Sequence, residues 1–580
     1  MTEQKTVAFH TLGCKVNQYD TQAMRERFEQ AGYRTAEFDG QADIYVVNTC
    51  TVTGTGDKKS MQIIRRCHRQ NPQAQIVVTG CLAQRAADEL TLPGVRLVLG
   101  TQRRGEVVEL LEQAMGQDCA LVAVETLRKA PFERLTVHAH EGHTRATMKI
   151  QEGCDRWCTY CIIPSVRGPI RSRPVDEIAA EARSLAEAGF REVVLTGIHL
   201  TSYGRDAKDG TTLLDAIRAA HDVPGIARVR LGSLEPVVVT PEFVEGIKGM
   251  PKVCHQFHLA LQSGSDTVLA RMHRRYTSGE FLNACAMLRE AFEDCALTTD
   301  VMTGFPGETE AEFAQTKDTC TRAGFARMHV FPYSEREGTK AALMPDSVPR
   351  HIREERAREL IALGRELEKK ALEARIGREE DVLVEEIDGQ GNGAGYTGGY
   401  MRVCVKGGKP GEIARVRITG TDGEELTGEI IKNEKGEIHM SDCLFCKIAA
   451  GEIPSTKVYE DETTLAFRDI APQAPVHVLV IPKKHISGWY DAQGESDETL
   501  AHLMRVAAQV AKSEGIVESG FRVVSNCGDD AQQTVKHLHL HVLGGKKMDG
   551  RMDGCANNRA NKFLPKSKNT VDEMKLLRYN

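Results

Sequence analysis

The chain is expected to be an α/β multidomain protein: an N-terminal open α/β domain, a partial (β/α)6 barrel, a small OB-like β-barrel and a C-terminal α+β domain. Three observations carry this. Strand-like and helical runs alternate through residues 5–105 and again from 144 to 376. Short alternating runs separated by glycines fill 378–440. A fresh pattern then begins at Met440-Ser-Asp with no linker. At 580 residues the chain is too long for one core, and roughly three to five domains is the expectation.

With 41% hydrophobic and 27% charged residues the composition is that of a globular protein. No apolar run approaches the about 20 residues that span a bilayer. The opening MTEQKTVAFHTLG lacks the basic-then-apolar layout of a signal peptide, so a cytoplasmic location is expected. Seventeen cysteines in that compartment argue for metal or cluster ligation rather than disulfides. A net charge of −6 gives no global sign of nucleic-acid binding, so any such binding must use local basic patches.

In the first domain (1–125), TVAFHTLG, IYVVNTC, IVVTGC and VRLVLG read as buried parallel strands. The helical stretch TQAMRERFEQAG lies between the first two and ends at Gly32. Three strands run into a cysteine: Cys14, Cys50 and Cys81. Ligands of an open α/β sheet gather at the strand carboxyl ends, so these thiols are expected to converge on one three-thiolate site. Cys67 and Cys119 lie off this pattern and read as ordinary thiols.

The barrel domain (140–376) starts with the strand TRATMKIQEG, followed directly by Cys154, Cys158 and Cys161 at C-x3-C-x2-C spacing. Three thiolates at that spacing can wrap one face of a cubane cluster and leave its fourth iron open. A closed structural site would need a fourth ligand; a zinc knuckle or three unrelated thiols are the plain alternatives. EVVLTGIHL, ARVRLGSLEP, QFHLALQSG, ALTTDVMTGFPG and ARMHVFPYS complete the six strands, with functional residues expected at their C-terminal ends. The charged run 350–376 reads as one long helix with a solvated face.

In the next domain (377–440), DVLVEEI, YMRVCVKG, ARVRITG and LTGEIIK read as strands of the small barrel. The last domain (441–548) opens with CLFC, continues through TLAFRDI, HVLVIPKKH and a helix near 497–514, and ends in HLHLHVLGG. Residues 549–580 are polar and aperiodic and read as a mobile tail.

The first 440 residues resemble the radical S-adenosylmethionine methylthiotransferases. TLGCKVNQYDTQAM, NTCTVT and TGCLAQR match that family's cluster domain, EGCDRWCTYCIIPSVRG its radical domain, and LALQSGSD, TDVMTGFPGETEAEF and HVFPYSEREGT further barrel segments. The small barrel resembles the TRAM module, an RNA-binding fold. TLGCKVNQYDT is closest to the subfamily acting on threonylcarbamoyladenosine at tRNA position 37; sister subfamilies act on isopentenyladenosine and on a ribosomal-protein aspartate. The resemblance implies two [4Fe–4S] clusters. One, on Cys154, Cys158 and Cys161, binds S-adenosylmethionine and takes an electron from a reducing donor. The other, on Cys14, Cys50 and Cys81, carries the transferred sulfur. Breaking an unactivated adenine C2–H bond requires a radical, which no side-chain acid or base supplies.

The resemblance also implies that Thr196 and Gly197 hold the methionine amino group; Gln262, Ser263 and Gly264 end the fourth strand toward the cofactor, with ordinary turn residues as the alternative. Trp157 and Tyr160 suit packing on adenine and shielding the cluster equally. The tRNA anticodon stem-loop needs cations and aromatics. Arg65, Arg66, His68 and Arg69 are candidates, as are Arg271, Arg274, Arg275 and Tyr276, and in the small barrel Tyr396, Tyr400, Arg402, Arg415 and Arg417. A solvated surface is the alternative for each group.

Residues 441–548 resemble a second family, the histidine triad (HIT) nucleotide hydrolases and transferases. His537, His539 and His541 share one face of a strand. The resemblance implies His539 as nucleophile toward an α-phosphate, with His541 orienting it. It also places Asp469 at a ribose, Asn526, Gln533 and Thr534 near a phosphate, a nucleotide or nucleoside phosphoramidate as ligand, and a homodimer through this domain. Cys443, Cys446, His485 and His537 suit a structural Cys2His2 zinc site, with two free thiols in CLFC as the alternative. Gln532 departs from the family's phosphate-loop glycine. A natural fusion at Met440 and two adjacent reading frames read as one both remain open.

Overall fold

The computed structural model describes residues 4–138, 144–431, 443–490, 492, 495–528 and 531–548. The join at Met440 and the tail 549–580 lie outside them. The chain forms two units, Met1–Ile431 and Lys432–Asn580.

The first unit opens with strands β1 (Thr6–Thr11), β2 (Arg34–Thr35), β3 (Ile44–Thr49), β4 (Gln75–Gly80), β5 (Val95–Leu99) and β6 (Leu121–Ala123). They form one parallel sheet in the order β2-β1-β3-β4-β5-β6. The four apolar runs are its centre; β2 and β6, too short for a period-2 signal, are added at its edges. Helices α1 (Lys15–Gln30), α2 (Gly54–Gln70), α3 (Cys81–Arg85) and α4 (Val107–Met115) cover the two faces, with separate apolar cores on either side.

The barrel strands follow. β7 (Arg145–Glu152) pairs with a short antiparallel β8 (Arg171–Ser172) and with β9 (Glu192–Gly197), which pairs with β10 (Arg228–Leu231). β11 (Gln256–His258), β12 (Ala296–Thr303) and β13 (Arg327–Pro332) form a second parallel set. Parallel bridges Val229–Val253 and Leu234–Leu259 join the two sets into one curved wall. The helices around it are α5 (Ile163–Arg167), α6 (Val175–Glu187), α7 (Leu213–His221), α8 (Pro241–Lys248), α9 (Asp266–Arg271), α10 (Ser278–Ala291), α11 (Glu310–Ala323) and α12 (Arg350–Glu373). Ala146, Met148 and Ile150 of β7 face this helical layer, so the alternate residues Arg145, Thr147, Lys149 and Gln151 face the barrel interior.

The expectation for α12 is corrected. It is long and charged, but Ala357, Leu360, Gly364, Leu367 and Leu372 are buried on one face. Arg356 on that face pairs with Glu308 at 2.8 Å. The apolar stripe was diluted by salt-bridging arginines and glutamates.

Strands β14 (Glu379–Ile387), β15 (Asn392–Thr397), β16 (Arg402–Lys406), β17 (Ile413–Thr421) and β18 (Leu426–Ile430) close a barrel in the order β14-β15-β16-β18-β17. Glycine-rich NGAGYT, read as turn, is the strand β15.

In the second unit α13 (Leu444–Ala449) precedes an antiparallel sheet. Its strands are β19 (Lys457–Glu460), β20 (Thr464–Arg468), β21 (Val476–Pro482), β22 (Phe521–Val524) and β23 (Leu540–Gly544), in the order β19-β20-β21-β23-β22. Helix α14 (Asp497–Ser513), capped by Ser496, packs its apolar face on this sheet.

Candidate functional sites

Cys14 caps α1, Cys50 follows β3 and Cys81 begins α3. They meet at the carboxyl ends of adjacent strands. A side chain on Gly13 would lie 3.1 Å from the Cys50 sulfur. Gly80, at φ +95°, leaves no room for a Cβ, which would stand 2.4 Å from the Asn48 amide oxygen. Burial pushes the Cys81 thiol up to about 11, and its neighbours Cys14 and Cys50 push the same way. Opposing them, Arg167 Nε donates to the Cys81 sulfur at 3.2 Å. A buried Cys81, a half-buried Cys50 and an exposed Cys14 beside a fixed cation fit thiolate ligation of a cationic cluster.

Cys154, Cys158 and Cys161 lie in the loop leaving β7. Gly153, at φ +75°, starts the turn; a Cβ there would stand 1.8 Å from the Pro169 carbonyl oxygen. Burial raises Cys154 to about 11 and Cys161 to about 12. Arg274 donates to the Cys158 sulfur at 3.3 Å. Glu235 gathers Arg156 at 2.9 Å, Arg274 at 3.0 Å and His199 at 3.1 Å. Burial alone would raise its carboxyl, but the hydrogen bond from His199 and the two arginines hold it at about 2. This donor set also fits a cluster. Trp157 is 57% exposed, while Tyr160 packs edge-on against Phe305.

The two cysteine sites are bridged by buried charge. Arg167 reaches Glu152 at 3.1 Å and Asp20 at 3.2 Å, and also bonds Asn17. Lys149 reaches Asp20 at 2.5 Å, and Arg104 pairs with both Asp20 and Glu133. Burial alone would raise Asp20; Arg104, Lys149 and Arg167 hold it well below the usual carboxylate range. No periodicity pointed to this network, because its members come from α1, β7, the end of α5, the turn before α4 and, through Glu133, the irregular segment between β6 and β7.

Thr196 and Gly197 end β9 as expected. Gln262 takes a left-handed φ of 63° and bridges to Val301. Ser263 and Gly264 turn instead to α11, where Thr316 Oγ1 lies 3.2 Å from Ser263 Oγ and 3.1 Å from the Gly264 amide.

The cationic groups sort into two kinds. Arg65, Arg69 and Arg275 are exposed, and Arg66 pairs with Asp39 at the surface at 2.6 Å; His68 is half-buried. Arg271, Arg274 and Tyr276 are corrected as RNA contacts. Arg271 is locked to Glu312 at 2.9 Å, Arg274 points at the cluster loop, and Tyr276 is buried with its hydroxyl on the Ala260 carbonyl. Tyr396 and Tyr400 are no open platform either. Their rings stack at 4.9 Å, with Arg145 over both and Arg230 over Tyr400. Arg402 pairs with Glu386 and Glu425, Arg415 with Asp381, and Arg417 with Glu379, all at the surface. Such exposed pairs are worth about 0–1 kcal/mol, so a phosphate can displace the carboxylates.

In the second unit, ligand atoms of Cys443, Cys446, His485 and His537 all lie within 4.8 Å of one another, and all four residues are buried. His537 turns Nδ1 to the Cys443 sulfur at 3.4 Å and donates Nε2–H to the Pro482 carbonyl at 2.8 Å. A zinc-ligating imidazole needs that outer hydrogen bond, so the donor set fits zinc.

His539 donates Nδ1–H to the His537 carbonyl at 2.6 Å, which leaves the ring's lone pair on Nε2. The Gln473 amide donates to His477 Nδ1 at 3.2 Å, so His477 Nε2 carries the proton and donates it to His541 Nδ1 at 2.8 Å. Asp469 lies 3.6 Å from His477. His477 was missed: in HVLVIP it reads as a lone strand histidine, and only its pairing across the sheet reveals it. Burial, then His539 and His477, lower His541 to about 4. Gln533 is structural here, joining Ser487 to Gly528. Asn526 is half-buried and Thr534 exposed. Gln532 takes φ 57°, the conformation a glycine would adopt freely.

Family models match in sequence: an uncharacterized protein family, UPF0004, at 6–100; the radical SAM superfamily at 148–320; the TRAM domain at 373–431; and the HIT domain at 450–548. The threonylcarbamoyladenosine tRNA methylthiotransferase MtaB of Bacillus subtilis is 42% identical over 445 residues, 75% of this chain and 99% of that protein. The chain belongs to the radical S-adenosylmethionine tRNA methylthiotransferases and carries a HIT domain at its C-terminal end. Another methylthiotransferase, the tRNA-2-methylthio-N(6)-dimethylallyladenosine synthase of Acetivibrio thermocellus, is 32% identical over 441 residues, 74% of this chain and 92% of that one. A solved histidine triad protein from Clostridium difficile is 50% identical, covering 20% of this chain and 99% of its own, with a TM-score of 0.19. Membership of the radical SAM superfamily implies a [4Fe–4S] cluster and S-adenosylmethionine. Among the described residues no helix is long and apolar enough to cross a membrane.

Proposed function

We propose that this methylthiotransferase acts on C2 of N6-threonylcarbamoyladenosine at position 37 of tRNA, using two [4Fe–4S] clusters. The observation that carries it is the pair of three-cysteine sites joined through Arg167, a guanidinium that hydrogen-bonds one site and anchors the strand end leading into the other. The cluster domain spans 1–125, the radical domain 140–376, the TRAM domain 377–440, the HIT domain 441–548 and a tail 549–580. When bound, the clusters and S-adenosylmethionine supply the one-electron chemistry that breaks an aromatic C–H bond, together with the sulfur and methyl group.

The chain's own residues do the rest. Arg274 and Arg167 donate hydrogen bonds to the sulfurs of Cys158 and Cys81 and orient them for the clusters they would hold. Glu235 fixes Arg274 in turn. The TRAM arginines and Arg65 grip the anticodon stem through phosphates. The HIT domain is a nucleotide hydrolase or transferase in which His539 attacks and His541, fixed by His477, orients the phosphate; a nucleoside phosphoramidate is the substrate class, and zinc on the Cys2His2 set staples the fold.

The test is mass spectrometry of nucleosides from the tRNA of a host lacking its own methylthiotransferases, with and without this chain. 2-Methylthio-N6-threonylcarbamoyladenosine is expected. The isopentenyl counterpart would keep the chemistry and overturn the substrate. Neither product, with both clusters loaded, would favour a non-catalytic RNA-binding protein.

A further inference from the structure

A cavity of about 520 Å3 lies in the first unit where its three domains meet; Cys14, Lys15, Arg145, Thr147, Glu385 and Tyr400 are among its lining. Arg145 is already satisfied: it pairs with Glu385 at 2.5 Å and covers the Tyr396 and Tyr400 rings at 4.9 and 5.0 Å. Lys15 differs. It is exposed to the cavity and makes no ion pair or hydrogen bond among the described residues. It stands close enough to Tyr400, Arg145, Arg230 and Glu192 to feel their charges, and acts in turn on His329. Its ammonium is therefore aimed at the barrel interior, one residue from a ligand of the sulfur-carrying site.

The two adenine substrates differ in one respect that this cation can read. The N6-threonylcarbamoyl group ends in a carboxylate; the isopentenyl group is apolar throughout. C2 and the carbon bearing N6 flank the same ring nitrogen, so a pocket that presents C2 to the Cys14 site also receives the N6 substituent. An apolar group there would leave an ammonium desolvated and unpaired, which selects against it.

We propose that Lys15 determines specificity for the N6 substituent by pairing with the carboxylate of the threonylcarbamoyl group. This rests on the substrate reading given above. Glu385 does not oppose it, because Arg145 neutralises that carboxylate.

The test measures equilibrium binding of the full, cluster-loaded chain to anticodon stem-loop RNAs. One carries threonylcarbamoyladenosine at position 37, one the same group with its carboxylate converted to a primary amide, and one unmodified adenosine. The wild type should prefer acid over amide by about tenfold or more, the scale of one charged hydrogen bond. Lys15→Met should abolish that preference with iron content unchanged, and Lys15→Arg should restore it. If Lys15→Met does not load its clusters, Lys15→Gln replaces it. Equal wild-type binding of acid and amide overturns the proposal, and so does a loaded neutral variant that keeps the preference. If instead the wild type fails to prefer the threonylcarbamoyl stem-loop over the unmodified one, the substrate reading falls, an outcome distinct from either.

Discussion

Arg167 Nε lies 3.2 Å from the Cys81 sulfur while Nη1 of the same guanidinium lies 3.1 Å from Glu152, two residues before Cys154. One fully buried side chain thus ties a ligand of the first cysteine site to the strand that launches the second. Arg167→Gln removes a buried cation from between Asp20 and Glu152, and breaking such a pair costs about 3–5 kcal/mol. The expected result is a lower thermal midpoint and loss of the iron held by Cys14, Cys50 and Cys81, read as iron per chain. Full iron content at wild-type stability would show the contact to be dispensable.

The two sites should separate genetically. Cys158→Ala is expected to abolish 5′-deoxyadenosine formation on reduction and leave tRNA binding nearly intact. Cys50→Ala is expected to keep 5′-deoxyadenosine formation and lose the methylthio product. Chromatography of both reactions checks this, and identical behaviour of the two variants would contradict a division of labour.

Gly153 is a steric prediction. A methyl group there would meet the Pro169 carbonyl oxygen at 1.8 Å, at a φ that side chains disfavour. Gly153→Ala should displace the turn before Cys154 and lower iron loading of that site alone, as seen in the electron paramagnetic resonance of the reduced protein.

His539→Ala should reduce nucleotide hydrolysis by roughly 10³-fold or more and spare methylthiolation. Loss of both activities would reveal coupling between the units. Cys446→Ser should lower zinc content and thermal stability of the second unit.

Acid should destabilise the second unit. His541 is depressed to about 4 in the fold against about 6.5 unfolded. As pH falls below about 6.5 the unfolded chain takes up the proton first, so the stability that the neutral imidazole contributes is complete above that pH and lost toward about 4. With allowance for its partial exposure the loss is roughly 2 kcal/mol. The chain has two tryptophans, so in Trp157→Phe the fluorescence of Trp489 reports this unit alone. Urea midpoints that are flat from pH 7 to 4.5 would refute it.

Much of this was legible because ligands of one kind sat at equivalent places. Cys14, Cys50 and Cys81 each follow a strand of a recognisable parallel pattern, and His537, His539 and His541 alternate along the segment that runs into β23, where only His541 lies on the strand itself. What was not legible depended on partners distant in sequence. His477 has meaning only through its neighbour across the sheet. Arg274 and Tyr276 look like an RNA-binding run until the fold turns both inward, and Tyr396 and Tyr400 look like a stacking platform until Arg145 and Arg230 cap them. Residue type announces a capacity for charge or stacking; only topology says which side of the surface that capacity serves.

Tyr400 adopts φ 64° to lay its ring between two barrel arginines, while Arg230 also bonds the Thr397 and Gly398 carbonyls. The RNA-binding barrel is therefore bolted to the bottom of the catalytic one, not tethered to it. Replacing this module with another would have to bring a matching tyrosine turn with it, so the two barrels are bound to inherit their changes together.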